Sequence, residues 1–243
     1  MAELDICKLA KACLSYLETL DFTVDETADF SWIERQMPRI GKKIISPTMK
    51  SGKNDFTEAR AFWLTMHDPS GLVGVMGMRL DALGRESVDA FWQRAFARQY
   101  RSEAGTKAEL HLPQVVRMVS GQIVYMGDLF FAPKIRGDRA TLMCFVHLAH
   151  ALCFLKWQHD WTYAFHRRED VLSGYSDKYG FNNRWPGAQL WTNPPDYRTS
   201  EEYLSVLSRE EFEQKASYYA RNPDLLTQAD PKAGSKAKPK NSR

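Results

Sequence analysis

The run from Ile123 to Lys178 constrains this chain most. Ile123–Phe131 reads as a strong strand that Pro133 ends, and Ala140–Trp157 is nearly all apolar and too long for a strand. Trp161–His166 then reads as a short strand and Arg168–Lys178 as a helix, with Gly180 placed to stop it as its C′ residue. Strand, buried helix, strand and helix, joined by short connections, form a βαβα unit whose two strands run parallel. Upstream, Ala59–His67 and Leu72–Leu80 flank Asp68-Pro69-Ser70-Gly71, with Asp, Pro and Gly at the first, second and fourth places of a type I turn. That β-hairpin makes the sheet mixed, and Gly74 and Gly77 in its second arm suit a strand that other backbones approach closely. The fold class predicted is α/β (α+β), a three-layer mixed sheet with helices on both faces.

Around this unit, Leu4–Leu20 reads as an amphipathic docking helix through Ile6, Leu9, Cys13, Leu17 and Leu20. Phe22–Val24 is a short strand. Ser31 and Glu34 have the spacing of a capping box that opens a helix over Ser31–Ile40. Gly41–Asn54 is a loop, Ser87–Arg101 a helix with Val88, Phe91, Trp92, Phe96 and Tyr100 on one face, and Val115–Val119 a strand. Gln189–Thr192 is strand-like, and Ser200–Arg221 reads as a polar-faced closing helix. One domain is expected over residues 1–228.

With 44% hydrophobic and 26% charged residues in 243, the chain has the composition of a compact soluble protein. The net charge of +3 belongs to the end of the chain, because Pro231–Arg243 holds five cations and no anion. Its Pro, Gly, Ala and Ser cannot bury enough apolar surface to order the segment, so 229–243 is expected to be a solvated, disordered basic tail and the protein not to bind nucleic acid. No apolar run is read as long enough to span a bilayer and the N-terminus has no cleavage site, so a cytoplasmic location without a membrane partner is expected. Cys7, Cys13, Cys144 and Cys153 form no CxxC pair and sit in apolar helical patterns. His147 and His150 lie three apart with no carboxylate or third imidazole near, so no metal is expected.

The strand-to-helix junction Asp128–Thr141 is where chemistry is expected. A helix N-terminus after a strand presents backbone N–H groups and a positive dipole end, and Arg136 and Arg139 stand beside it. The spot suits a phosphate or pyrophosphate; its plain alternative is two surface arginines flanking a turn.

These residues resemble the GCN5-related N-acetyltransferase (GNAT) superfamily, in which a strand ends in V-x-P-x-x-R-G-x-G-x-G/A. Phe131, Pro133, Arg136 and Gly137 fall in register with that stretch, while Arg139 and Thr141 stand where the family has glycine, and glycine or alanine. Trp161–Phe165, Arg168–Lys178 and Tyr179-Gly180-Phe181 resemble the family's fifth strand, fourth helix and closing Gly-Phe, and the hairpin its second and third strands. The resemblance runs from about Phe22 to Thr192 and makes 81–120 an insertion between the third and fourth strands. It implies an acyl-CoA N-acyltransferase fold with acyl-CoA (acetyl-CoA) as co-substrate. Leu129, Phe131, Arg136, Gly137, Asp138, Arg139 and Ala140 would then bind that co-substrate, the amides near Leu129–Phe131 polarising the acyl carbonyl. It implies Tyr175 as the acid for the leaving thiolate, one residue from the family's position at Ser176, and Asp128 as the base, with Glu169 or His166 behind it.

The function expected is transfer of an acyl group from a thioester donor, acyl-CoA or an acyl-carrier protein, to a primary amine by direct attack. The acceptor would be an amine-bearing small molecule or protein, and a homodimer is compatible with the sequence. The alternative is a non-catalytic binding or interaction protein on an acyltransferase scaffold.

Overall fold

The computed structural model describes residues 2–102 and 105–228. The basic segment 229–243, predicted to be disordered, lies outside the described residues. In chain order the elements are α1 (Ala2–Glu18), β1 (Thr23–Thr27), α2 (Phe30–Gln36), β2 (Ala61–Asp68), β3 (Gly71–Ala82), α3 (Val88–Gln99), β4 (Lys107–Leu110), β5 (Gln122–Phe131), α4 (Arg139–Trp157), β6 (Trp161–His166), α5 (Arg168–Leu172), α6 (Tyr175–Lys178), β7 (Asn183–Pro186), β8 (Gln189–Thr192), β9 (Tyr203–Ser208), α7 (Arg209–Arg221) and α8 (Asp224–Thr227).

Seven strands form one mixed sheet in the order β1-β2-β3-β5-β6-β9-β7, and β4 pairs with β8 in a separate ribbon. Within the large sheet only β5 and β6 run parallel. They are joined through α4, the crossover read from the sequence. Successive residues of a strand face opposite sides of a sheet, and β6 shows which elements those sides carry. Tyr163 and Phe165 meet Trp92 and Phe96 of α3, with ring centroids 4.9 Å apart for Trp92–Tyr163 and 5.8 Å for Phe96–Phe165. His166 faces Phe181, which meets His150 of α4 on the opposite side. Helices α1, α4 and α7 therefore make one outer layer and α3 the other.

Helix α4 packs on α1, α8 and the sheet and is buried along nearly its whole length, which explains why it is apolar all round. At 19 residues it is long and apolar enough to cross a membrane by length and composition, unlike the sequence reading, and 78% of the qualifying stretch is buried inside the fold. Of the predicted face of α1, Ile6, Leu9, Cys13 and Leu17 are fully buried, the helix packing on α4 and α7, while Leu20 lies past the end of the helix and is exposed.

Four local readings are corrected. Asp29, not Ser31, caps α2, its Oδ1 accepting from Trp32 N at 2.8 Å. Val115–Val119 is a short 3₁₀ turn over Val116–Met118 rather than a strand. The helix predicted over Arg168–Lys178 is broken by Gly174, whose φ of 79° is open to glycine at no steric cost. The segment Ser200–Arg221 is strand β9 followed by α7. Ser208 starts that helix with a capping box, its Oγ accepting from Glu211 N at 3.2 Å while its own N donates to Glu211 Oε2 at 2.9 Å. Replacing Ser208 by alanine is expected to destabilise the protein by about 1 kcal/mol in urea denaturation, because the Oγ that accepts from Glu211 N is lost while the backbone N–H keeps its bond to the Glu211 carboxylate.

Candidate active site

Strands β5 and β6 pair at only one end. Ile123, Val124 and Tyr125 register with Trp161, Thr162 and Tyr163, and from Met126 onward the two strands part. On its other side β5 still pairs with β3, as Gly127 with Gly77, Val75 with Phe130 and Gly74 with Phe131, with an irregularity opposite the 127–130 stretch. Asp128 takes a φ of 55° there, in the left-handed region. The divergence leaves a cleft of about 770 Å³ lined by both strands, the 41–46 loop, the 136–139 turn, α5–α6 and the segment before β9. Seven cationic and four anionic side chains line it, so its field favours an anionic ligand.

The floor tolerates no added atom. A Cβ on Gly127 would run into the hydroxyl and ring of buried Tyr125. Gly127→Ala is expected to cost about 1–3 kcal/mol, read as a lower urea midpoint, because the rigid phenol has to move.

At the junction after β5, Arg136 Nε donates to Phe131 O at 2.8 Å, and its guanidinium lies 4.7 Å from the centre of the Phe130 ring. Gly137 has a φ of 96°, with open space where a side chain would project. Asp138 caps α4: its carboxylate accepts from Ala140 N at 3.1 Å and Thr141 N at 3.3 Å. The Ala140 amide, expected to hold a phosphate, is thus occupied by a carboxylate of the chain itself, which also places a negative charge in that turn. Arg139 Nη1 donates to Gln228 O at 2.7 Å, tying the start of α4 to the end of α8. Of the residues expected at the co-substrate, Leu129, Phe131, Arg136, Gly137, Asp138 and Arg139 line the cleft, and Ala140 does not.

Asp128 lines the cleft too, but its carboxylate is engaged. It pairs with Lys42 Nζ at 2.8 Å and accepts from Ser46 N at 3.1 and 3.2 Å, and its side chain is 5% exposed. With both of its oxygens held by an ammonium and a backbone amide, Asp128 pins the 42–46 loop and has little room for a ligand. Tyr175 opens α6 at the cleft wall, with Lys178 Nζ 4.7 Å from its ring centre. Ser176, its neighbour in the family register, is buried and accepts from Arg184 Nη1 at 2.8 Å. His166 ends β6 in the cleft wall, its Nδ1 3.0 Å from Ser205 Oγ. Burial, followed by the nearby charge of Arg184, lowers its pKa to about 4, so the ring is neutral at pH 7. Glu169 does not line the cleft, and neither do His147 and His150, which are buried between α4, Phe212 and Tyr219. Among the described residues no group of three or more His, Cys, Asp and Glu could hold a metal ion.

Two residues unforeseen from the sequence sit across the cleft. Arg198 is buried and donates from Nε to Tyr100 Oη at 2.7 Å, from Nη2 to Ser46 Oγ at 3.0 Å, and from Nη1 to Glu202 Oε2 at 3.1 Å. Glu202 is equally buried, and desolvation raises its pKa above the ordinary carboxylate value, partly offset by Arg198. The R-x-x-x-E spacing was visible, but it straddles the point where the sequence reading began a helix.

At the 136–139 turn Arg136 and the open space at Gly137 suit an anion, and the Asp138 cap opposes one.

No protein-family model matches the chain, nor does any curated protein. Among solved structures it is similar to an aminoglycoside N(6')acetyltransferase from Legionella pneumophila, at 10% identity, covering 80% of this chain and 96% of that one with a TM-score of 0.43. It is similar to Arabidopsis thaliana NAA60 in complex with acetyl-CoA, at 11% identity, covering 76% and 98% with a TM-score of 0.44. A third is the acetyltransferase of GNAT family from Streptococcus pneumoniae, at 8% identity, covering 77% and 98% with a TM-score of 0.43.

Proposed function

We propose that the protein is a divergent GNAT-type N-acyltransferase that moves an acyl group from a thioester donor to a primary amine by direct attack. The observation that carries this reading is the parting of β5 from β6 after three paired residues. It frees one edge of β5 inside a cationic cleft, where backbone N–H groups can face a carbonyl oxygen. A bound acyl thioester supplies an electrophilic carbonyl and a thiolate leaving group. The chain supplies the rest: amides near Leu129–Phe131 to stabilise the developing oxyanion, Arg136 and Gly137 for the donor's phosphate, and the Tyr175 hydroxyl to protonate the thiolate.

The occupied Ala140 and Thr141 amides favour a donor with a single phosphate at this turn, such as the phosphopantetheine of an acyl-carrier protein, over coenzyme A with its pyrophosphate. Thiol release measured with acetyl-CoA and with acetyl-loaded carrier protein, each beside a panel of primary amines, tests both statements. Turnover with either donor is expected, and Tyr175→Phe should lower kcat by about 100-fold. No thiol release from either donor, with no shift in melting temperature, would contradict the reading.

A further inference from the structure

Resting on that reading, we infer that Glu202 is the base that takes the proton from the attacking ammonium, held in place by Arg198 and, through it, by Tyr100 of the 81–120 insertion. Geometry sets its position. Tyr203 pairs with His166, the last residue of β6, so Glu202 stands just beyond the end of that strand, in the wall of the cleft. A chain of contacts fixes it at the level of the β5 irregularity. Asp128 accepts from Ser46 N, Ser46 Oγ accepts from Arg198 Nη2, and Arg198 Nη1 donates to Glu202. The carboxylate therefore lies across the cleft from the freed edge of β5.

The two carboxylates differ in what they have left to offer. Asp128 is bound by an ammonium at 2.8 Å and by a backbone amide. Among the described residues the only donor to the Glu202 carboxylate is Arg198 Nη1, at 3.1 and 3.3 Å to its two oxygens, long for a charge-assisted bond. Lone pairs remain for a ligand. Burial raises the pKa of Glu202 above the ordinary carboxylate value; of the charged groups around it, Arg198 and Arg167 favour its ionised form and Glu169 opposes it. Of the two carboxylates, Glu202 is the one with room to take a proton from a ligand.

Arg198 has no freedom of its own. Its three nitrogens reach the 42–46 loop, the end of α3 and the segment before β9, and its guanidinium packs 5.9 Å from the Tyr100 ring centre and 6.0 Å from that of Trp191. The insertion thus acts in the site as the scaffold of the base, with Tyr100 and Arg198 as positioning residues.

In the step itself the ammonium gives one proton to Glu202, and the neutral nitrogen forms a bond to the acyl carbon. The C–S bond breaks with its electron pair on sulfur. The second nitrogen proton ends on the thiol by way of Tyr175, and Glu202 returns its proton to water.

The test uses the full chain, acetyl-CoA or acetyl-carrier protein as donor, and two acceptors that differ in charge. A simple alkylamine is protonated at neutral pH, whereas hydroxylamine is largely unprotonated. Glu202→Gln is expected to lower kcat/KM for the alkylamine about 100-fold at pH 7 and to remove the acid limb of its pH profile, while turnover of hydroxylamine falls far less. Glu202→Asp, which keeps a carboxylate, should retain the acid limb with a reduced rate, and it carries the test if the glutamine variant does not fold. Equal losses with both acceptors, or no loss with either, would overturn the assignment of the base and leave acyl transfer standing. No turnover of either acceptor by the unaltered protein would overturn both.

Discussion

Lowering the pH from 7 towards 4 is expected to strip the protein of several kcal/mol of stability, a larger effect than most single substitutions produce. Four buried imidazoles are held neutral by the fold. Burial lowers the pKa of His147, His159 and His166 to about 4 and carries that of His150 well below its ordinary value. Cations add to the effect: Lys215 and Arg139 near His147, Arg209 near His159, Arg184 near His166. The sign follows from linkage. Between about pH 6.5, where these rings protonate in the unfolded chain, and about pH 4, the unfolded state binds more protons, so stability is present above 6.5 and is lost as the pH falls. Each pH unit in that window is worth about 1.4 kcal/mol per ring. Glu202 and Asp170, whose protonation burial favours, act in the opposite direction and blunt the loss. Urea unfolding at a series of pH values measures it, and a midpoint that stays level from pH 7 to pH 5 would contradict the account.

Removing the Arg198 guanidinium should be the most damaging single substitution at the cleft. Arg198→Met leaves Glu202 buried without its cation and Tyr100 and Ser46 without a partner, and truncating one member of a buried pair costs about 3–5 kcal/mol. The loss reports desolvation of the surviving charge rather than the worth of the pair. A double variant, Arg198→Met with Glu202→Leu, should therefore recover much of the stability while staying inactive. If the double variant were as unstable as the two single losses summed, the pair would not be coupled in the way the geometry requires.

The parts of this fold that were legible in the sequence are those with strong periodicity or strong punctuation. The crossover from β5 through α4 to β6 followed from apolar runs bounded by Pro133 and Gly180, and the hairpin from Asp-Pro-Ser-Gly at 68–71. Where tertiary context decides, the reading failed. β9 looked helical because Leu204, Ser205, Val206 and Leu207 are all buried, so neither face is polar and alternation is erased, and the capping box at Ser208 was hidden inside the segment. At the cleft, Arg136 and Gly137 could be named because they sit in a contiguous motif, and Tyr175 because it stands one residue from the family's position at Ser176. Arg198 and Glu202 could not, since what distinguishes them is burial beside residues about 100 and 150 positions away, Tyr100 and Ser46. The Asp138 cap was legible in principle: Asp before Arg139-Ala140-Thr141 has an N-cap's place, and reading it so would have shown the Ala140 amide to be taken.

The claim on which the rest depends is that the gap between β5 and β6 receives a pantetheine arm. A crystal structure of the full chain grown with acetyl-coenzyme A addresses it directly. Density for the arm is expected between Leu129–Phe131 and Ala164–His166, with the acyl carbon facing Glu202. Density for the ligand anywhere else, or side chains filling the gap in crystals saturated with the thioester, would contradict it.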